Sequence, residues 1–153
     1  MEKIFADYLK NLEELHIDVL NVIKDLPQKA LDWSPFPGGN SINVLVTHIA
    51  GAEKFWLGDV VAGEPSGRDR EAEFSVKGIQ FEQLSSLLDD SLAYGKTVLA
   101  EFDLESLSSL RESPRDGKVF SVGWCLGHTL KHTAIHLGHI HITRDLWKSK
   151  MIE

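Results

Sequence analysis

The residues best able to do chemistry in this chain are its histidines, five of which crowd into the stretch between residues 121 and 148. On a helix, His128, His132, His136 and His139 fall on one narrow face shared with Cys125, whereas His141 points to the opposite side. Histidines four residues apart are separated by about 6 Å along the axis, so two imidazoles can converge on one ion at a metal–nitrogen distance of about 2.1 Å. His128 and His136 are about 12 Å of rise apart, so the stripe cannot serve one ion in full. Helix geometry leaves two pairs open, His128 with His132 or His132 with His136, and either needs a third ligand from another helix, for which His48 is the natural candidate. A lone histidine near an apolar face is more often a hydrogen-bonded core residue. Stacked imidazoles differ: they repel when protonated and leave ring nitrogens unsatisfied when neutral, a cost that a metal removes.

The elements that must position these histidines are helical. Phe5, Tyr8, Leu12, Leu15, Val19, Val22 and Leu26 recur at spacings of three and four and predict a first helix closed by Pro27. The stretch LDWSPFPGGN, residues 31–40, is barred from helix by Pro35 and Pro37. Ser41 then offers an N-cap to a second helix running to about Val61, with Ile42, Leu45, Ile49, Ala52 and Trp56 on its buried side and His48 one residue from it. The polar, glycine-bounded segment 63–78 reads as a long solvated loop able to gate a site. Phe81 to Phe102 carry the apolar spacing of a third helix, Asp116-Gly117 signals a small hairpin, and Ser121 caps a last helix to about Lys148. With no internal repeat, residues 1–153 read as a single all-α domain, a four-helix bundle with long connections.

Composition narrows the partners. The net charge is −7 and the lysines and arginines are scattered among acids, which argues against nucleic acid. A single cysteine rules out an internal disulfide and predicts a reducing, cytoplasmic setting; the charged N-terminus lacks a secretory pattern, and no window predicts a membrane span.

Two blocks, Leu31 to Gly63 and Ser121 to Trp147, together resemble the DinB superfamily. The resemblance is carried by Trp33, Pro35, Pro37 and Gly38 ahead of His48, and by His132, His136, Gly138 and Ile140 on the last helix. It implies that His48, His132 and His136 are the metal ligands and that His128 is a neighbour in hydrogen bonding or packing. It further implies an up-down-down-up bundle and a homodimer. Leu137 and His139 depart from the usual H-R-G-Q-I turn of the family and leave the ligands intact.

Three histidine ligands leave positions open on a divalent ion, a catalytic layout suited to zinc or nickel first and then to iron or copper. The resemblance implies a metal-dependent transferase using a low-molecular-weight thiol such as mycothiol or bacillithiol. The alternatives are metal-assisted hydrolysis, with Glu53 or Glu101 as candidate general base, and a non-catalytic stress-response protein whose ion pins two helices together.

Overall fold

The apolar spacing of the first segment becomes helix α1 (Lys3–Ile23) in the computed structural model, which describes residues 1–151. Phe5, Tyr8, Leu12, His16, Val19 and Ile23 are its buried residues at spacings of three and four. The helix ends a turn earlier than the spacing predicts, because the residue before Pro27 is turned away from helical dihedrals. Pro27 instead starts the single turn α2 (Gln28–Leu31). Ser41 caps α3 (Ile42–Lys54), its Oγ accepting from the Val44 N–H at 3.2 Å.

Helix α3 runs without a break into a π-helical segment, Phe55–Ala62, which Gly63 closes at φ 71°. The wider turn brings Gly58 against Tyr94 so closely that any side chain there would overlap the phenol. The rest of the chain supplies a one-turn helix α4 (Arg70–Glu73), the third long helix α5 (Phe81–Ala100), an antiparallel hairpin of β1 (Leu110–Glu112) and β2 (Val119–Ser121), and α6 (Val122–Lys150). Ser121 caps α6 through the Trp124 N–H at 3.1 Å. The Asp116-Gly117 turn predicted from sequence closes the hairpin, with Gly117 at φ 69°.

α1 and α3 each pack on both α5 and α6, which makes the four-helix bundle. Among the described residues no helix is long and apolar enough to cross a membrane. The core consists of two apolar clusters, one around Leu12, Trp56 and Leu92 and the other around Val19, Ile49 and Leu88. In each long helix the residue lying between its contributions to the two clusters is polar: His16, Glu53, Ser91 and Thr133. The Glu53 carboxyl accepts from Ser91 Oγ at 2.6 Å and Thr133 Oγ1 at 2.8 Å, and His16 Nε2 lies 2.9 and 3.0 Å from its two oxygens. One side chain thus ties all four helices, and burying it without these donors would cost several kcal/mol.

Glu53→Ala removes the shared acceptor and leaves the Thr133 hydroxyl and the His16 imidazole unpaired, while Ser91 Oγ keeps Leu88 O at 2.9 Å. It is expected to lower the unfolding free energy by about 3 kcal/mol, read from urea denaturation.

Candidate metal centre

The site forms where α3 meets α6. His48 is buried on α3, and the i, i+4 pair His132 and His136 is half-buried on the facing side of α6. His48 Nε2 stands 3.1 Å from His132 Nε2, and His136 Nε2 stands 3.2 Å from the same atom. One nitrogen from each of the three rings lies within 4.8 Å of the other two.

The orientation of His48 is set from behind. Its Nδ1–H donates to Glu73 Oε2 at 2.9 Å, which leaves Nε2 as a bare lone pair aimed at the pair on α6. Glu73 is itself clamped by Arg68, which donates through Nε to Oε1 at 2.5 Å and through Nη2 to Oε2 at 2.8 Å. Burial works to raise the Glu73 pKa, but Arg68 and His48 outweigh it and hold the carboxyl below its ordinary value. Room for this carboxylate exists because residue 51 is glycine: a Cβ there would overlap Glu73 Oε1.

Electrostatics keep the two rings on α6 neutral. Burial, and then the neighbouring imidazoles of His136 and His48, push the His132 pKa down to about 3. Burial followed by His48 and His139 pushes His136 down to about 4. His132 Nε2 stands between two ring nitrogens at 3.1 and 3.2 Å, and one N–H can pair it with only one of them, so a ring nitrogen is left over for which a cation is the natural partner. The spacing suits one, since ligand nitrogens about 2.1 Å from a common ion sit roughly 3.0 to 3.4 Å apart at octahedral to tetrahedral angles. The donor set therefore fits a divalent transition metal.

The remaining histidines fall outside this convergence. His128 stacks on Trp124 with centroids 4.7 Å apart and lies 6.0 Å from the His132 ring, so it is a packing neighbour. His139 Nδ1 reaches His136 Nδ1 at 3.3 Å from an exposed position. His16 is taken up by Glu53 in the core. Cys125 is buried, and burial pushes its thiol up to about 11, far from thiolate character at neutral pH.

Two expectations need correction. Glu53 is neither a surface acid nor a base at the site, because the core hydroxyls and His16 occupy it. The segment 63–78 is not merely solvated: Asp69 caps α4 by accepting from the Ala72 N–H at 3.0 Å, and the turn delivers Glu73, 5% exposed, to the back of His48. Glu73 and Arg68 were missed in the sequence; the cap residue ahead of an acidic turn was the available signal, but it does not say which acid faces inward.

A cavity of about 450 Å³ opens onto His48 and His132. Trp56, Phe120, Trp124 and His128 form its aromatic wall, and the hairpin tip at Arg115 and Asp116 flanks it. Trp56 reaches the wall from the π-helical segment, where its ring lies 4.7 Å from His128.

Gly51→Ala displaces Glu73 without touching the three histidines. It is expected to weaken zinc binding by about 10- to 100-fold in a chelator competition while far-UV circular dichroism stays unchanged. Acid has a separate effect. Because the folded pKa values of His132 and His136 lie below the unfolded value near 6.5, the unfolded chain binds more protons between these limits. The metal-free protein should therefore keep this contribution above pH 6.5 and lose stability as pH falls towards 3 to 4, as thermal melts across that range would show.

Three solved structures share the fold. A conserved protein from Enterococcus faecalis superposes with a TM-score of 0.78 at 16% identity, covering 95% of this chain and 98% of that one. YfiT from Bacillus subtilis, described as a probable metal-dependent hydrolase with an unusual four-helix bundle topology, gives 0.75 at 16% identity over 94% and 87%. A DinB-like protein from Bacillus cereus gives 0.72 at 13% identity over 89% and 87%. At these identities the likeness establishes the fold. No curated protein matches the chain. The family model for mycothiol S-transferases matches residues 7–149, nearly the whole sequence. With its bundle and its three converging histidines, the chain belongs to the mycothiol S-transferase family of DinB-like proteins.

Proposed function

We propose that this protein is a metal-dependent thiol S-transferase in which His48, His132 and His136 hold a divalent transition metal, zinc or nickel in first place. The observation that carries the reading is the convergence of three ring nitrogens, with His48 and His132 opening onto a cavity. Membership of the mycothiol S-transferase family points to a low-molecular-weight thiol as one substrate. When bound, a divalent ion supplies the Lewis acidity that keeps such a thiol deprotonated at neutral pH.

The chain's own residues do the rest. Glu73 keeps the proton of His48 on Nδ1 and so reserves Nε2 for coordination, and Arg68 holds Glu73 in place. The aromatic wall excludes water and receives the apolar body of an electrophile. In the transfer a sulfur lone pair forms the new carbon–sulfur bond as the bond to the leaving group breaks with its electron pair, the thiol proton having been lost to solvent when the thiolate formed.

Hydrolysis is the second reading, prompted by the description of YfiT. It calls for a general base beside the attacking water. Glu73 is committed to His48 and Arg68, Glu101 is exposed at the end of α5, and Asp116, which lines the cavity, is held 3.6 Å from both Arg115 and Lys118. These commitments favour a nucleophile that brings its own reactivity, as a thiolate does.

Elemental analysis of untagged protein should find one divalent ion per chain, lost in His48→Ala, His132→Ala and His136→Ala but kept in His128→Ala. Thiol-dependent consumption of an electrophile such as monochlorobimane should fall at least 100-fold in His136→Ala; turnover unchanged in that variant would refute the proposal.

A further inference from the structure

The mouth of the cavity has a charge opposite to that of the protein. The whole chain carries −7, yet the side chains lining the cavity include Arg68, Arg70, Arg115 and Lys118 and a single acid, Asp116. Arg68 is neutralised by Glu73. Three cations, Arg70, Arg115 and Lys118, therefore meet one carboxylate, which Arg115 and Lys118 share at 3.6 Å each, so positive charge is left in excess.

Two of the guanidinium groups also lie over aromatic rings. Arg115 Cζ lies 5.5 Å from the Phe55 ring and 6.0 Å from the Trp56 ring, and Arg70 Cζ lies 5.0 Å from the Phe74 ring. A cation held over a ring in this way keeps N–H donors for an oxygen acceptor. Two segments far apart in sequence, the α4 turn and the hairpin tip, bring these cations together. Between Arg115 and His132 lie the rings of Trp56 and His128, while Phe74 beneath Arg70 is 5.1 Å from the His48 ring, so the cavity joins the donor-binding end to a flat apolar wall with cations to either side.

From this order the geometry points to a small organic anion as the occupant of the cavity: a flat unsaturated or aromatic body whose carboxylate is received by Arg70, Arg115 and Lys118. This rests on the transferase reading above and deepens it by naming the substrate class. The anionic group is the shared chemistry, whether it is borne by the thiol or by the electrophile that the thiol attacks.

The test measures binding of 2-naphthoate and of its neutral isostere 2-naphthamide to the metal-free protein, through quenching of tryptophan fluorescence. This readout needs neither metal nor turnover, so it can fail while the metal centre stands, and the reverse. The carboxylate is expected to bind about tenfold tighter than the amide, a preference that shrinks in 0.5 M salt and disappears in Arg70→Gln/Arg115→Gln. Equal affinities, or a preference that survives in the double variant, would overturn the proposal. Zinc-loaded protein then tells the two sources apart. Displacement of naphthoate by mercaptosuccinate but not by 2-mercaptoethanol supports an anionic thiol, whereas undisturbed naphthoate binding in both thiols supports an anionic electrophile.

Discussion

Three imidazole nitrogens turned towards one point are an arrangement that a protein can keep only by building around it. Two of them come with the pitch of α6, but the third depends on the contact between α3 and α6 and on the direction in which His48 turns. The Glu73 carboxylate decides that direction by taking the hydrogen bond from Nδ1. The Glu53 layer decides the contact: Thr133, next to His132 in the chain, donates to a carboxyl five residues beyond His48. Stability and site geometry therefore meet in the same turn of α6, since the hydroxyl faces the core while the imidazole beside it faces the cavity.

The placement of the acids gives the centre its chemical character. Glu53 is enclosed by donors from three other helices, Glu73 is clamped by Arg68, and Asp116 stands between two cations. Carboxylates with these partners orient and stabilise; none is left as a free base beside the three nitrogens. The nucleophile must then arrive with its own proton-releasing group, and the cationic rim favours a substrate that also carries a negative charge.

Much of this was legible in the sequence, for reasons that can be named. The four long helices were: the first three present apolar residues at helical spacing, the last is a stretch without proline, and two begin at a serine cap that the structure retains, Ser41 and Ser121. The i, i+4 pairing of His132 and His136 follows from helix pitch alone, although pitch could not choose between that pair and His128 with His132. That choice, and the ligand role of His48, rested on the resemblance to a family. What stayed hidden depends on contacts distant in sequence. Nothing in RDREAE marks Glu73 as the acid that turns inward, and the need for glycine at position 51 appears only once Glu73 lies across α3. The π-helical turn that carries Trp56 to the cavity wall has no periodic signature over eight residues. The basic rim escaped notice because its members are scattered along the chain and gather only through the hairpin and the α4 turn.

X-ray absorption at the metal edge of the zinc-loaded protein tests the central claim most directly. The account predicts a shell of three imidazole nitrogens at about 2.1 Å with the remaining coordination filled by a light atom, and a new sulfur scatterer at about 2.3 Å when a low-molecular-weight thiol is added. A shell without three imidazoles, or one that thiol leaves unchanged, would contradict it.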